Sequence, residues 1–154
     1  MPIIRLSKRS LETVDRLLDI WESSVTATHT FLSVADIAAI KQDVKRVLQE
    51  FEHLYGYYDE NHMLQGFIGV EGQTIEMLFV GAEVIGRNIG KQLLGYAVSA
   101  MQAKYVDVNE QNVQGAAFYR HMGFHVVGRS EYDGQGRPFP LLHLELDSLQ
   151  AANK

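Results

Sequence analysis

Apolar side chains along the chain follow two kinds of spacing. Helices are predicted over residues 11–24, 34–51 and 88–103 from apolar positions three or four apart, and over 113–121 from capping residues at both ends. Strands are predicted over 3–6, 54–59, 63–71, 74–80, 105–108, 125–132 and 139–146. Residues 25–33 are polar and are predicted to be irregular. The order β-α-α-β-β-β-α-β-α-β-β predicts an α/β (α+β) protein, with a mixed, mostly antiparallel seven-stranded sheet and helices on both faces.

Composition narrows the class of protein. The 154 residues predict one domain over 1–154. The chain has no cysteine, which excludes disulfides, thiolate metal sites and cysteine nucleophiles. A net charge of −5 without a basic run argues against nucleic acid as a partner. No signal-peptide pattern and no apolar run near the ~20 residues of a membrane span are present, so a soluble cytoplasmic protein is expected, as a monomer or a homodimer.

The junction after the predicted strand 74–80 is rich in glycine and positive charge. Gly86 and Gly90 allow a ligand to approach the backbone, and Asn88 tolerates the left-handed conformation. Arg87 and Lys91 add charge at the positive end of the following helix. A phosphate or pyrophosphate is the predicted ligand. The alternative is a helix start whose glycines serve only tight packing, and neither the Walker A nor the Rossmann glycine spacing is present.

A second informative segment runs over residues 112–124. Asn112 is a predicted N-cap, because its side-chain oxygen can accept a free amide of the first turn. Gly123 is the predicted left-handed residue that ends the helix. Tyr119 lies two turns into this helix, with Phe118 beside it. From the helix alone, packing explains Tyr119 better than chemistry does.

Together these segments resemble the GNAT superfamily of acetyl-CoA-dependent N-acetyltransferases, over about residues 3–147. The family's pyrophosphate motif, [QR]-x-x-G-x-[GA], aligns with residues 85–90, where Ile85 and Asn88 replace the usual first residue and first glycine. Its second motif, N-x-x-A-x-x-x-Y-x-x-x-G-F, aligns with residues 112–124, where Gly115 replaces the alanine.

The resemblance implies acetyl-CoA as cosubstrate and direct transfer of the acetyl group to a primary amine of a small molecule, peptide or protein. It implies that Tyr119 is the general acid for the CoA thiolate and that a backbone amide near Leu78 or Phe79 polarises the thioester. Asn112 is expected to hold CoA, to cap its helix, or both. The expected cofactor-binding residues are Leu78, Phe79, Val80, Ile85, Gly86, Arg87, Asn88, Ile89, Gly90, Lys91, Asn112 and Phe118.

The proton acceptor for the amine has two candidates. Glu76 occupies a strand position where many GNAT enzymes carry a carboxylate, and strand alternation places it on one face with Leu78 and away from Ile75. His29 lies in the predicted irregular segment beside the acceptor, together with Phe31. Simple solvent exposure explains Glu76 equally well and is the commoner explanation for a loop histidine such as His29, and His143 is expected to be structural. No histidine pair has metal-ligand spacing, so no metal is expected. A non-catalytic module that senses acetyl-CoA or acyl-CoA is the alternative function.

Overall fold

The computed structural model describes residues 2–147. Its seven strands are β1 (Ile3–Arg5), β2 (Leu54–Tyr58), β3 (Leu64–Glu71), β4 (Thr74–Val80), β5 (Tyr105–Asn109), β6 (Phe124–Ser130) and β7 (Leu141–Leu146). Its four α-helices are α1 (Leu11–Thr28), α2 (Val34–Glu50), α3 (Ile89–Met101) and α4 (Val113–His121), and a 3₁₀ turn spans Ala82–Val84.

The strands form one sheet in the order β1-β2-β3-β4-β5-β7-β6. Neighbouring strands are antiparallel except β4 and β5, which are parallel. The parallel pair is joined through α3, as a parallel connection requires a crossover. The predicted element order and the mixed, mostly antiparallel sheet are therefore confirmed.

Two hydrophobic clusters cover the two faces of the sheet. One joins α1 and α2 to the β2–β3 half and includes Leu17, Leu48 and Phe67. The other joins α3 and α4 to β5 and β7 and includes Leu93 and Leu144. Helices thus lie on both faces, as predicted. Among residues 2–147, no helix combines the length and the apolar character that crossing a bilayer requires.

The first helix is longer than its predicted span of 11–24, and the prediction that residue 25 begins an irregular segment is wrong. Val25 is buried in the cluster under α1 and α2, so the apolar stripe continues for another turn. The hydroxyl of Thr28 donates to the Ser24 carbonyl (2.7 Å), and the His29 amide donates to the Val25 carbonyl (2.8 Å). The consequence is that His29 is the C-cap of a helix, with its backbone fixed.

A β-bulge interrupts β4. The β3–β4 register passes from Gly69 opposite Met77 to Val70 opposite Ile75, so Glu76 is an extra residue without a partner. A bulge of this kind bends the strand and increases its twist. The bulge is the point from which β4 turns away from β5.

The bulge also overturns the expected alternation of side chains along β4. Ile75 and Leu78 both contact the cluster under α3, although they are three positions apart. Met77 contacts the opposite cluster, under α1 and α2. The expectation that Glu76 shares a face with Leu78 and not with Met77 assumed an uninterrupted period of two, and the inserted residue breaks that period.

Helix α4 begins and ends as its sequence predicts. Asn112 is its N-cap, and the side-chain oxygen accepts from the Gly115 amide (3.0 Å). Gly123 follows the helix with a φ of 98°. A Cβ atom at Gly115 would collide with the side-chain amide of Asn112, so glycine at this position keeps the cap in place.

Candidate active site

The parallel strands β4 and β5 separate soon after they meet. Their register contains only two pairs, Thr74 with Tyr105 and Ile75 with Val106. Beyond these pairs β4 continues to Val80 and β5 continues to Asn109 without pairing to one another. The sheet therefore contains a wedge-shaped gap that opens toward the N-terminus of α3.

The backbone of β4 presents free donors to this gap. The Gly81 amide donates to the Gln65 carbonyl of β3 (2.9 Å). Because every second residue of an antiparallel strand bonds to its partner, Phe79 also bonds to β3. The amides of Leu78 and Val80 then point away from β3, into the gap. The alternation favours these two amides over that of Phe79 as donors to a ligand.

The loop between β4 and α3 has the backbone geometry of an anion site. Gly86 has a φ of 91°, and Asn88 is left-handed, with φ 66° and ψ 12°. Gln92 is the first residue of α3 whose amide reaches a helical carbonyl, that of Asn88 (3.0 Å). Within residues 2–147, the amides of Ile89, Gly90 and Lys91 form no hydrogen bond. These unsatisfied donors lie at the positive end of the helix dipole.

Side chains around this loop leave room for a ligand. Ile85, Arg87 and Lys91 are exposed. A Cβ atom at Gly90 would meet the Phe118 ring and Val80 at an ordinary 3.7 Å, so the fold tolerates a larger residue there. Phe118 thus lies beside the start of α3, which brings the predicted cofactor residue of α4 next to the loop.

Tyr119 is buried between aromatic rings on the α3–α4 side of the sheet. Its side chain is 7% exposed, and its ring meets those of Phe118 and Phe124 edge-on at centroid distances of 5.2 and 5.6 Å. Burial raises the pKa of the Tyr119 phenol well above its usual range. Among the described residues, the Tyr119 hydroxyl has no hydrogen-bond partner. Since none of the fully buried side-chain oxygens in residues 2–147 lacks a partner, the Tyr119 oxygen is not fully buried and reaches solvent.

The opposite side of the gap is lined by the α1–α2 connection and the β6–β7 connection. The ring of Phe31 lies between those of His29 and Phe139, at centroid distances of 5.4 and 5.7 Å. Arg137 of the β6–β7 connection is paired with Asp43 of α2 (3.0 Å). The α1–α2 region and the β6–β7 connection, which are distant in the sequence, are therefore held together on this side of the gap, which we call the acceptor side.

The imidazole of His29 is half-buried and oriented. The Thr28 hydroxyl donates its hydrogen to Ser24, so it accepts from the Nδ1–H of His29 (2.8 Å). Nε2 is then the unprotonated nitrogen of the neutral ring. Burial lowers the pKa of His29, and a contact with the Asn109 side chain opposes that shift. The ring is a neutral hydrogen-bond acceptor at the edge of the acceptor side.

Glu76 lies at the start of the gap. Its side chain is exposed, and partial desolvation raises the pKa of its carboxyl, with the negative charges of Glu71 and Asp107 adding to the shift. A carboxylate with raised proton affinity is suited to accept a proton near neutral pH.

Three further polar residues, which sequence reasoning did not select for the site, form a hydrogen-bonded set on β5, β7 and β6, and the charge of the first of them, Asp107, contributes to the raised pKa of Glu76. Asp107 of β5 accepts from His143 of β7, and His143 meets Ser130 of β6. Side chains alternate between the two faces of a strand, and this alternation over residues 105–109 and 141–146 does place Asp107 and His143 on the more polar face. That the two residues are close together depends on the pairing of β5 with β7.

The structure thus gathers the predicted residues into two groups around one gap. Residues 85–91, Phe118 and Tyr119 lie on the α3–α4 side, whereas Glu76, His29 and Phe31 lie toward α1 and α2. Two surface depressions of about 420 and 400 Å³ lie elsewhere, one at the C-terminal end of α3 and the other beside the C-terminal end of α2. Among residues 2–147, no three histidine or carboxylate side chains are grouped to hold a metal ion.

This combination of a split parallel strand pair and an anion-binding helix start defines an acyl-CoA-dependent transferase fold. The family described as Acetyltransferase (GNAT) domain matches residues 18–144, and the chain belongs to this family. It is an acetyltransferase that uses acetyl-CoA and transfers the acetyl group to an amine.

Individual proteins similar to this chain are also acetyltransferases. The chain is 38% identical over 142 residues to the peptidyl-lysine N-acetyltransferase YjaB of Salmonella typhimurium, covering 92% of this chain and 97% of that protein. The solution structure of apo YjaB from Escherichia coli superimposes with a TM-score of 0.84 at 37% identity, covering 93% and 95%. A PaiA N-acetyltransferase from Thermoplasma acidophilum, solved with coenzyme A, shares the fold at TM-score 0.69 and 21% identity, covering 96% and 99%.

Proposed function

We propose that the amine acceptor is the side-chain amine of a lysine in a peptide or protein. Relatives that share 37–38% identity over more than nine-tenths of the chain carry the name peptidyl-lysine N-acetyltransferase. The observation that carries the proposed mechanism is the separation of β4 from β5 after Ile75, with the amides of Leu78 and Val80 turned into the gap. A thioester in this gap has donors on one side and the acceptor face on the other.

In the proposed reaction the lysine nitrogen attacks the thioester carbon. The carbonyl oxygen becomes an oxyanion and is stabilised by the amide of Leu78 or Val80, which is fixed by the sheet before the reaction. The intermediate then breaks its carbon–sulfur bond, and the sulfur leaves as a thiolate. No covalent acyl-enzyme is needed, in keeping with a chain that has no cysteine.

Cosubstrate binding is proposed to use the α3 start. The amides of Ile89, Gly90 and Lys91 would receive pyrophosphate oxygens, together with the left-handed turn at Gly86 and Asn88. Arg87 and Lys91 would contribute charge, and the exposed Ile85 and the ring of Phe118 would provide apolar contact. Asn112 is occupied by its own helix, so its proposed part in cofactor binding is to fix the position of α4.

Glu76 is proposed to accept the proton of the attacking amine, directly or through water. Its raised proton affinity and its position at the start of the gap support this role. His29 is proposed to contact the substrate together with Phe31, because its half-buried, oriented imidazole and the aromatic pair lie on the side of the gap lined by the α1–α2 connection.

Tyr119 is proposed to act at the departing sulfur. Its phenol stays protonated at every physiological pH, since burial raises its pKa. Because a thiol has an ordinary pKa of about 8.5, below that of this phenol, proton transfer from Tyr119 to the thiolate is uphill by itself and is drawn forward by reprotonation of the phenolate from solvent. The proposed action is a hydrogen bond to the developing thiolate, followed by proton transfer and reprotonation of the phenol from solvent.

Acetyl transfer to a blocked lysine peptide, measured by release of free CoA thiol, tests the proposed acceptor. Turnover with the peptide and none with the same peptide carrying norleucine supports it. Binding of acetyl-CoA in a calorimeter without thiol release over a panel of amines favours the alternative function, a sensor of acetyl-CoA. Monomer or homodimer, a single domain over 1–154, absence of nucleic acid as a partner, and the cytoplasm as location remain predictions.

A further inference from the structure

Four polar side chains form a row across four adjacent strands, at the level where the gap begins. Glu76 of β4 and Asp107 of β5 follow the last pair of the β4–β5 register, Ile75 with Val106, and the two carboxylates are close enough for the charge of Asp107 to raise the pKa of Glu76. His143 of β7 lies directly opposite Asp107. Ser130 of β6 contacts His143 in turn. We name this set, Glu76–Asp107–His143–Ser130, the polar row.

The pairing of β5 with β7 brings Asp107 and His143 close together. The Glu110 amide donates to the Pro140 carbonyl (2.8 Å), which places the alternate pair Asp107–His143 at a non-hydrogen-bonded position of the ladder. Such pairs have Cα atoms only about 4.5 Å apart. The Nδ1–H of His143 donates to Asp107 Oδ1 at 2.6 Å.

Strand β6 is shaped to hold the same imidazole from the other side. A register shift between Val126 and Gly128 marks a bulge, and Gly128 lies opposite His143. A Cβ atom at Gly128 would meet the ring carbon Cδ2 at 3.4 Å, at the limit of ordinary contact. The ring therefore lies over Gly128 and reaches Ser130, whose Oγ is 2.7 Å from Nε2.

These contacts define the proton positions of the polar row. With Nδ1–H donated to Asp107, the neutral ring accepts the Ser130 hydroxyl hydrogen at Nε2. When the hydroxyl hydrogen of Ser130 moves to Nε2 of His143, a proton from water can take its place on Ser130 Oγ. The product is an imidazolium whose charge is compensated by Asp107, the arrangement that stabilises protonated histidine in hydrolytic triads.

The acetyl-transfer reaction removes two protons on this side of the sheet, so a second proton acceptor has a use there. A lysine ammonium loses two protons on its way to the amide, one before attack and one from the nitrogen of the intermediate. Glu76 can hold only one of them. Tyr119, which serves the thiolate, lies in the cluster on the opposite face, so it does not receive a proton directly from the acceptor nitrogen.

We propose that His143 takes up the second of these protons through Ser130 and water, and that Asp107 stabilises the imidazolium that forms. The imidazolium returns the proton to solvent when the product leaves, so that each turnover releases one proton overall while the CoA thiolate takes the other. This inference rests on the proposed lysine acceptor and deepens it, because it names the group that lets a protonated amine be used near neutral pH.

Other charged groups around the polar row do not replace this role. On the same face, Tyr105 and Glu145 form the next cross-strand pair of β5 and β7. Glu71 approaches Glu76 from the end of β3. Asp43 of α2 and Arg137 of the β6–β7 connection are paired with one another. His29 also lies on this side, with its imidazole against Thr28 and the Asn109 side chain, but it has no carboxylate partner among residues 2–147, whereas His143 has Asp107.

The chain provides a matched control for this proposal. His125 of β6 meets Asp147 with the same Nδ1-to-Oδ1 distance of 2.6 Å, but its neighbours are not the residues of the gap. His125→Gln and His143→Gln therefore remove the same kind of ion pair inside and outside the polar row. Asp107→Asn and Ser130→Ala test the two partners of His143 while the ring is retained.

The experiment is a pH profile of kcat/KM for acetylation of a blocked lysine peptide by the whole chain. The wild type and His125→Gln are expected to lose activity toward acid with a slope of two, because both Glu76 and His143 must be unprotonated. His143→Gln is expected to show a slope of one and a kcat lower by about tenfold or more, within the range of general-base effects. Asp107→Asn and Ser130→Ala are expected to lower kcat with little change in KM.

A second readout does not depend on activity. In ¹⁵N spectra of the imidazole groups, His143 is expected as the Nδ1–H tautomer in the wild type, and this preference is expected to disappear in Asp107→Asn. Thermal unfolding of each variant shows whether it is folded. If His143→Gln is folded and matches His125→Gln in rate and in slope, the proposal is overturned while the proposed function stands. A wild type that binds acetyl-CoA and acetylates no lysine peptide overturns both.

Discussion

The two sides of the gap are built in different ways. The proposed cosubstrate side consists of backbone groups from one short segment, residues 85–91, and one helix, α4. The proposed acceptor side consists of side chains from β4, β5, β6 and β7, together with the connection around His29. A backbone site is specified by turn conformation, whereas a side-chain site is specified by strand pairing. We therefore expect the first kind of site to tolerate substitutions such as Ile85 and Asn88, and the second kind to depend on individual residues.

The largest effect is expected from Glu76→Gln. Removing the proposed proton acceptor should lower kcat for a lysine peptide by about 10²–10⁴-fold with acetyl-CoA binding retained. In the wild type, activity should fall as pH decreases through the raised pKa of Glu76, because only the carboxylate accepts a proton. Steady-state rates from pH 5 to 9 measure both effects. A folded Glu76→Gln with wild-type turnover would remove Glu76 from the mechanism.

Tyr119→Phe removes the one side-chain group that is proposed to act chemically on the cosubstrate side, where the other proposed contacts come mainly from the backbone. A hydrogen bond to a charged sulfur contributes about 1.5–3 kcal/mol, so kcat should fall by roughly 10–150-fold. Stability should change little, since no described residue hydrogen-bonds the Tyr119 hydroxyl. Rates and calorimetric acetyl-CoA affinity are measured together. An unchanged kcat would reduce Tyr119 to a packing residue.

Substitution of Asn88 tests whether the backbone conformation specifies the cosubstrate side. Asn88→Gly should keep acetyl-CoA binding, because glycine adopts the left-handed conformation freely. Asn88→Ala should weaken it, since alanine in that conformation costs about 1–2 kcal/mol. The readout is the thermal shift at saturating acetyl-CoA, where a ligand at 100 Kd adds about 2.7 kcal/mol. Equal shifts in both variants would show that the conformation at this position does not matter.

The smallest effect is expected at His29, on the acceptor side. Burial lowers its pKa in the folded chain, so the unfolded chain takes up the proton first as pH falls below about 6.5. The stability that the neutral ring contributes is present above that pH and is lost progressively below it. His29→Gln should reduce this slope, as measured by urea unfolding at pH 5, 6 and 7. A slope identical to that of the wild type would contradict the assignment.

The sequence was most predictive where a feature is local. Asn112 and Gly123 bound α4 at its predicted limits, and β4 has its predicted ends, because caps and turns depend on neighbours in the chain. The end of α1 was placed too early, because the polar residues after Ser24 obscured the buried Val25. Nothing in the sequence near Glu76 indicated the bulge, since a bulge is defined by the register between β4 and β3 and not by β4 alone.

The amino-acid sequence by itself determined the element order, the capped helix with Tyr119, and a loop able to bind an anion through its backbone. These follow from short-range rules of spacing and conformation. Only the tertiary structure decided which amides of β4 are free, that Glu76 lies on a bulge, and that Asp107, His143 and Ser130 form a continuous row with it. Such contacts join residues up to 36 positions apart. The physical reason is strand register, which depends on how the whole sheet is packed between its helices.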